Sequence, residues 1–346
     1  MEDSTYSPPS HATLVFNSTA ACRQQPEKAQ SGAANIIFQS TDGGQTWQDI
    51  SAGLPADLLA EDFFAGDGEL YLGAKNGMYH RSTASTVPVW EKEISFNDRS
   101  TTVSPGRDSS LSAPGSNKSL DDRSTTVSPG RAGPFAYNGS GHFFQKRYGM
   151  GIWLPMFTNF QDQSVRTIFE TFDGTFFIGC DNGIFKSADH GKTWKHVFED
   201  GWVMKMVESN GVLLCTNEHG ILRSTDGGEH WDSVLSEGGV GIAVEIIEGG
   251  FAAITYNTES ETRRVRISAD GGKTWQAIDA GLPAQASIAS IKQVGEYFFC
   301  GHPDGIFRSS DKGKTWELLL PSIGKKVFNL SVSGNVIYAV PRAGGC

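Results

Sequence analysis

One octapeptide occurs five times in this chain of 346 residues, and it constrains the fold more than any other feature. In each copy an Asp can accept hydrogen bonds from the backbone amides of a turn, a Gly can adopt a left-handed backbone angle, and a Trp begins the returning strand. The pattern therefore predicts five β-hairpins of one geometry. The copies are STDGGQTW at 40–47, SADHGKTW at 187–194, STDGGEHW at 224–231, SADGGKTW at 268–275 and SSDKGKTW at 309–316.

The spacing of the octapeptides indicates a structural unit of about 40 residues. Their Asp residues stand at 42, 189, 226, 270 and 311, which leaves intervals of 147, 37, 44 and 41 residues. A second pattern precedes the octapeptides, in which an apolar segment, a turn and a Gly-apolar-aromatic step follow each other, as in Phe176–Gly179 and Gly183–Ser187. Each unit is thus predicted to be a four-stranded antiparallel meander in which the octapeptide joins the third and fourth strands.

The long first interval must contain further units. Residues 60–95 repeat the meander pattern, with Trp90 in the place of the octapeptide Trp but no Asp in the turn. A shorter candidate spans 135–158, where Phe143-Phe144 and Ile152-Trp153 could supply strands. We therefore expect one degenerate unit in the first region and, in the second, a unit without the octapeptide hairpin.

The two ends of the chain complement each other in their number of strands. Two strand-like runs, 327–332 and 336–340, follow the last octapeptide, whereas one run, 36–38, precedes the first. We expect these runs to share one sheet, which closes a ring and leaves no open edge. The sequence thus predicts an all-β protein, a single β-propeller of four-stranded antiparallel blades over residues 34–346. Seven blades are expected, with six as the alternative.

Two segments differ in character from the repeated units. Residues 97–132 contain few large apolar side chains, and the run Asp98–Arg107 recurs at Asp122–Arg131. Such a segment cannot bury a core, so we expect an insertion loop; a docking or modification segment is the alternative. Residues 1–33 are expected to form a flexible leader. A Thr-Ala-Ala-Cys run ending at Cys22 is similar to a bacterial lipoprotein cleavage site, but the preceding residues lack a signal-peptide pattern, so a lipid anchor and a disordered leader both stay open.

Charge and hydropathy argue against two classes of partner. The 39 acidic and 29 basic residues give a formal charge of −10, which would repel a nucleic-acid backbone. No apolar run approaches the roughly 18 residues of a membrane helix, so we expect no membrane span. We expect a monomer.

The cysteine and histidine patterns argue against a metal site. No Cys-x-x-Cys or His-x-x-x-His pair is present, and we expect neither a metal nor another cofactor. Cys180, Cys215 and Cys300 occupy matching positions in three units. A small apolar thiol packs well inside a sheet, so these three are predicted to be buried and free.

The octapeptides resemble the Asp-box, or bacterial neuraminidase repeat, and are called Asp-boxes below. The resemblance covers roughly 34–95 and 163–343. Sialidases, xyloglucan-cleaving hydrolases, sortilin-type receptors and photosystem assembly factors share this repeat, so it implies a β-propeller but no single activity. In these propellers the box lies on the face opposite the substrate site. The resemblance therefore implies structural roles for Asp42, Asp189, Asp226, Asp270 and Asp311.

A glycosidase is one functional alternative. A sialidase would need three arginines around a substrate carboxylate, a Tyr with a Glu partner and an Asp acid, and the early Arg-Ile-Pro motif of that family is absent. Several arginines could lie on inner strands or upper loops, but none of them has flanking residues that are recognisable from sialidases. These are Arg166, Arg263, Arg264 and Arg342.

The other hypothesis is a non-catalytic binding protein. The acids Asp181, Glu218 and Asp304 lie near Gly between the second and third strands, where turn chemistry explains them better than two-carboxylate hydrolysis. The face opposite the boxes varies from blade to blade, as a recognition surface would. Its candidate ligand-binding residues are Asn182, Trp202, His219 and His302. We expect an extracytoplasmic protein, whether periplasmic, cell-surface or secreted, that recognises a protein or glycan partner. A sialidase-like or other glycoside hydrolase stays the alternative.

Overall fold

The computed structural model describes residues 35–66, 68–74, 77–85, 89–95, 135–137, 143–145, 165–189 and 193–343. The strands in this part of the chain are β1 (Phe38–Ser40), β2 (Gln48–Asp49), β3 (Ala60–Gly66), β4 (Glu69–Ala74), β5 (Gly77–Ser82), β6 (Glu91–Ser95), β7 (Phe135–Tyr137), β8 (Phe143–Gln145), β9 (Val165–Glu170), β10 (Phe176–Cys180), β11 (Gly183–Ser187), β12 (Lys195–Phe198), β13 (Val203–Ser209), β14 (Val212–Asn217), β15 (Gly220–Ser224), β16 (Asp232–Leu235), β17 (Gly238–Ile247), β18 (Gly250–Asn257), β19 (Thr262–Ser268), β20 (Gln276–Ala277), β21 (Ser290–Val294), β22 (Tyr297–His302), β23 (Gly305–Ser309), β24 (Glu317–Pro321), β25 (Lys326–Ser333) and β26 (Val336–Ala343). No helix among the described residues is long and apolar enough to cross a membrane.

The strands form antiparallel sheets of four. Five sheets are meanders of consecutive strands, namely β3–β6, β9–β12, β13–β16, β17–β20 and β21–β24, while β7 pairs with β8 alone. The remaining sheet has the order β2-β1-β26-β25 and combines both ends of the chain, with Phe38 opposite Ala339 and Ser40 opposite Ile337. The prediction of an all-β protein built from four-stranded antiparallel sheets is confirmed. Closure of the ring and the number of blades stay predictions.

Consecutive sheets contact each other through their innermost strands. β13 contacts β9 and β10, β17 contacts β13 and β14, β21 contacts β17 and β18, β25 contacts β21 and β22, and β3 contacts β25 and β26. The degenerate unit predicted at 60–95 is confirmed as the sheet β3–β6. Of the second predicted unit, β8 contains Phe143-Phe144. Ile152-Trp153, the leader 1–33 with Cys22, and the insertion 97–132 lie outside the described residues.

The second strand of each complete meander is its most buried one, because neighbouring sheets cover both of its faces. Phe177 of β10, Leu214 of β14 and Phe299 of β22 have no exposed surface. Burial of one such side chain contributes about 1.5–3 kcal/mol. The same strands contain Cys180, Cys215 and Cys300, which are buried and free as predicted, but their positions do not all match, because Cys180 ends its strand whereas Cys215 and Cys300 stand two residues before the end of theirs. Burial raises the pKa of the Cys180 thiol to about 12, so it stays protonated.

The Asp-box hairpins share one hydrogen-bond pattern. In the box that follows β19, Ser268 Oγ donates to Asp270 Oδ1 at 2.8 Å and accepts from Gly272 N at 2.9 Å. Thr274 donates to Asp270 through its backbone N at 2.9 Å and its Oγ1 at 2.7 Å. The boxes of Asp42, Asp189 and Asp311 contain the same Ser–Asp–Thr contacts. In the remaining box, His230 Nδ1 takes the place of the Thr hydroxyl on Asp226 at 2.6 Å.

Boxes also contact neighbouring sheets. A Cβ atom on Gly228, whose φ is +82°, would lie 2.4 Å from Phe177 Cε1, and one on Gly272, with φ of +80°, would lie 2.9 Å from Leu214 Cδ2. In return, the basic residue before a box Ser reaches the box of the next sheet. Arg223 Nε donates to Gly271 O at 2.7 Å. These boxes therefore contact adjacent sheets as well as closing their own hairpins.

Candidate binding site

The Asp-boxes and the candidate ligand residues lie at opposite ends of the strands. Because successive strands are antiparallel, the turns after first and third strands share one face of the molecule. The boxes follow third strands and define this box face. The turns between second and third strands, together with the linkers between sheets, define the opposite face, called the tip face below.

Trp202 lies on the tip face in the linker between β12 and β13. Asn217, the last residue of β14 and only 1% exposed, holds this linker in place. Its Nδ2 donates to the carbonyl oxygens of Asp200 at 2.9 Å and Trp202 at 3.3 Å, and its Oδ1 accepts from His219 N at 2.9 Å. One buried amide thus fixes both the loop that presents Trp202 and the turn that contains His219.

Arg166 packs on the Trp202 ring. Its Cζ lies 5.2 Å from the ring centroid, and its Nε donates to Asp181 Oδ1 at 2.5 Å. The Arg166 side chain is only 16% exposed. Arg166 is the extra residue of a β-bulge between β9 and β10, and such bulges re-aim side chains. The bulge and the Asp181 carboxylate together keep a cation against one side of Trp202.

Two turns flank the Trp202 linker on the tip face. On one side, exposed His219 has its Nε2 3.7 Å from Asp200 Oδ1. On the other, the Asp181-Asn182 turn is exposed, and the Asn182 carbonyl oxygen lies 3.2 Å from His196 Nε2. The structure therefore brings Trp202 and His219 together and places Asn182 in the adjacent turn. Their part in ligand binding stays a prediction.

His302 lies apart from this group, at the end of β22, and has no exposed surface. Its Nε2 is 2.9 Å from Pro283 O, and its Nδ1 accepts from Asp304 N at 3.0 Å. Burial lowers the pKa of His302, which keeps the ring neutral, with the proton on Nε2. Both ring nitrogens are engaged with backbone, so His302 offers neither of them to a ligand in this conformation.

His302 and Asn217 occupy the same position in their sheets. Each is the last residue of a second strand, opposite the Gly that begins the third, Gly305 or Gly220. Each accepts a hydrogen bond from the backbone N two residues later and donates one to the linker that precedes its own sheet. They are therefore equivalent structural devices, of which only Asn217 supports a partly exposed aromatic linker residue.

A central cavity of about 610 Å³ lies between the innermost strands. Four basic and three acidic residues line it, so its wall has an excess of positive charge although the chain as a whole has a formal charge of −10. Arg166 belongs to this wall and also contacts Trp202, which joins the cavity to the tip face. The seven residues are Arg166, Lys205, Lys292, Arg342, Glu170, Glu208 and Glu245.

Three of these residues form a compact ionic cluster. The ammonium groups of Lys205 and Lys292 both contact Glu245 Oε1, Lys292 at 2.7 Å. Burial alone would raise the pKa of the Glu245 carboxyl, but the two ammonium groups outweigh it and the pKa lies below its ordinary value. Burial, together with repulsion from Lys205, lowers the pKa of Lys292 despite the attraction of Glu245. The cluster therefore contains a firmly ionised carboxylate between two lysines.

A second β-bulge places Lys205 in the cavity wall. The register of β13 against β14 shifts between Val203 and Met206, so two residues of β13 face a single residue of β14. Inside the bulge, Lys205 N donates to Thr216 Oγ1 at 3.0 Å in place of a ladder bond. Arg166 and Lys205, neighbours in the wall on adjacent inner strands, thus both depend on bulges that simple strand alternation does not predict.

The four arginines considered for sialidase chemistry do not converge. Arg166 and Arg342 line the cavity. Arg264 instead donates to Asp279 at 2.6 and 3.1 Å, and Arg263 NH1 donates to Ile288 O at 2.8 Å. Among the described residues, no group of His, Cys, Asp and Glu side chains could hold a metal ion.

The box carboxylates are ionised acceptors. Hydrogen bonds from Thr46 and Ser40 lower the pKa of Asp42 to about 2, and those from Thr315 and Ser309 lower that of Asp311 to about 2. The pKa values of Asp226 and Asp270 are lowered in the same way. These are the contacts that a structural role requires, since a carboxylate held ionised by its own turn is a poor general acid. The structural role itself stays a prediction.

Four residues of the site are not among those predicted from the sequence, namely Asn217, Lys205, Glu245 and Lys292. Asn217 had a usable signal, because it stands three residues before the Gly of a third strand, as His302 does. The ionic cluster had no such sequence signal, because its members lie on three different strands and at different sequence separations from their boxes.

Two segments of the chain match family models of this repeat. Residues 184–197 match the BNR-Asp box repeat, and residues 266–277 match the BNR/Asp-box repeat. The chain contains Asp-box repeats. The matched segments include the boxes of Asp189 and Asp270, and no curated protein matches the chain by sequence.

Several solved structures are similar to this chain at low sequence identity, and the one with a TM-score above 0.5 shows the same fold. The GH74 xyloglucanase from Xanthomonas campestris is 13% identical with a TM-score of 0.52, and the match covers 86% of this chain and 53% of that one. The extracellular domain of a one-component system from B. thetaiotaomicron is 10% identical with a TM-score of 0.48, covering 82% and 35%. An ancestral GH74 enzyme is 13% identical with a TM-score of 0.43, covering 90% and 42%. This chain spans about half the length of the xyloglucanase and less of the other two.

Proposed function

We propose that this chain is a non-catalytic β-propeller that binds a glycan on its tip face, with Trp202 as the surface on which a sugar ring stacks. The observation that carries the proposal is that neighbouring residues hold both the backbone and the ring of Trp202 in place. Asn217 fixes its backbone, and Arg166, itself held by Asp181, packs on its ring. A pre-organised aromatic side chain loses little conformational entropy on binding, and its apolar face suits the C–H face of a sugar.

The ionic cluster of the cavity does not supply the general acid that a glycosidase needs. A glycosidase acid must be protonated before it acts, which requires a raised pKa. Glu245 shows the opposite shift, because two lysines keep its carboxyl ionised. Hydrolysis is the second outcome that the experiment must cover, since a xyloglucanase shares this fold.

The test compares two aromatic residues on opposite faces. Tyr297 on the box face is 39% exposed and has Arg308 Cζ 5.0 Å from its ring centroid, so it matches the Trp202–Arg166 pair in chemistry. The wild-type protein is first screened on a glycan array, and the affinity for each bound glycan is measured by calorimetry. We expect Trp202→Ala to weaken binding about tenfold or more, and Tyr297→Ala to leave it unchanged.

Melting temperatures of both variants control for folding. Equal affinities of the Trp202→Ala variant and the wild type would remove Trp202 from the site. Release of reducing ends from a bound oligosaccharide would show an enzyme instead of a binding protein.

A further inference from the structure

The charge of the central cavity is unusual for this chain. Four cations and three carboxylates line the cavity of a protein whose acidic residues outnumber its basic ones by 39 to 29. The excess is concentrated in the cluster of Lys205, Lys292 and Glu245, where two ammonium groups share one carboxylate oxygen. A cation pair with a single counter-charge attracts one further negative charge.

The donors of this cluster are only partly used. An ammonium group has three N–H donors, and Glu245 Oε1 accepts from both lysines. The lysine side chains are 39% and 20% exposed, so the remaining donors can reach the cavity interior. Two adjacent ammonium groups can bind the two oxygens of a carboxylate, and such charge-assisted hydrogen bonds are stronger than neutral ones.

We propose that Lys205 and Lys292 form a subsite for the carboxylate of an acidic sugar, and that Glu245 occupies part of this subsite until the ligand enters. This inference rests on the proposed glycan-binding function and specifies the ligand as a uronic-acid oligosaccharide. The position of Arg166 favours a sugar over a peptide carboxylate, because this residue lines the same cavity and also supports the stacking surface of Trp202. One sugar of a chain can then stack on the tip face while an acidic neighbour points into the cavity.

The decisive probes are trigalacturonic acid and its fully methyl-esterified form, which has the same skeleton without charge. Calorimetry should show that the wild type binds the acid about tenfold more tightly than the ester. Lys292→Met should remove this preference and leave binding of the ester unchanged. Glu245→Gln should tighten binding of the acid about tenfold, because it removes the competing negative charge.

A second lysine–glutamate–lysine cluster on the box face provides the control. Glu229 contacts Lys186 and Lys195, each at 2.6 Å, outside the cavity wall. Lys186→Met therefore removes the same charge from a similar cluster, and we expect it to leave both affinities unchanged. If Lys292→Met does not fold, the Glu245→Gln variant and a sodium chloride titration of the wild type provide the test, since only binding of the acid should weaken with salt.

The outcomes separate the two proposals. Equal binding of acid and ester, lost in Trp202→Ala but unchanged in Lys292→Met, would overturn the carboxylate subsite and leave the glycan-binding function standing. Weaker binding of the acid to Glu245→Gln would also overturn the subsite. Binding of tri-alanine with a free carboxyl terminus, without binding of either sugar, would overturn both proposals in favour of a peptide ligand.

Discussion

On the box face, sheets that differ in sequence repeat one arrangement of Ser, Asp and Gly, with Thr or His closing the turn. On the tip face, equivalent positions at the ends of second strands differ, and Cys180, Asn217 and His302 occupy them. The difference has a physical origin. A box must satisfy its own turn and also fit against a neighbouring sheet, whereas a tip closes a short turn and, at Asn217 and His302, holds the linker before its own sheet. Residues on the tip face are therefore freer to vary than those of the boxes.

The largest loss of stability is expected at the second Gly of a box, where a substitution tests whether the box must fit against a neighbouring sheet. Gly228→Ala would place a Cβ 2.4 Å from Phe177 at a φ of +82°. We expect it to lower the free energy of unfolding by about 3 kcal/mol or more, through strain and overpacking. Chemical denaturation measures the change.

The adjacent Gly227 is the matched control. Its φ is +71°, but the nearest atom to its added Cβ is Lys186 Nζ at 3.8 Å. Gly227→Ala should therefore show only the backbone strain, about 1–2 kcal/mol. Equal losses in the two variants would mean that box glycines serve their own turn alone and do not fit one sheet to the next.

A smaller loss of stability is expected at the tip face, for the residues that end the second strands. Asn217→Ala removes three hydrogen bonds and His302→Ala removes two, and each substitution should cost about 1–3 kcal/mol of unfolding free energy. Only Asn217→Ala should also weaken ligand binding, because its linker presents Trp202. Calorimetry at a temperature where both variants are folded makes the comparison. Equal loss of binding in both would indicate that the ligand covers the whole tip face.

The smallest expected effect is the dependence of stability on pH that comes from His302. Burial lowers the pKa of His302 below its ordinary value of 6.5 in the folded state, so its contribution to stability is complete above pH 6.5 and is lost as the pH falls towards the lowered pKa. The slope from this residue is at most about 1.4 kcal/mol per pH unit. His302→Asn copies the residue found at the equivalent position of β14 and should flatten the dependence below pH 6.5. Urea denaturation at several pH values tests this, and unchanged slopes would assign the proton uptake to another group.

Regular positions were predictable from the sequence, whereas positions set by irregular backbone were not. The box hairpins and the meander of each sheet follow from patterns that recur at fixed offsets from the Asp of a box, and the buried cysteines follow from the apolar second strands that contain them. His302 is predicted as a ligand residue because it belongs to the face that varies from blade to blade, but its turn and the linker before its sheet use both of its nitrogens. Its equivalent Asn217 was passed over, although the same offset from Gly identifies it.

The sequence by itself determined the local structure of this protein, because turns and strand alternation depend on residues a few positions apart. It also predicted the shared sheet, in which Phe38 pairs with Ala339, from the uneven strand counts at the two ends. Only the tertiary structure decided which residues line the cavity. Lys205, Glu245 and Lys292 come from three sheets, and a β-bulge sets the position of Lys205. The charge of the cavity depends on how the sheets are arranged around it, and no local pattern in the chain encodes that arrangement.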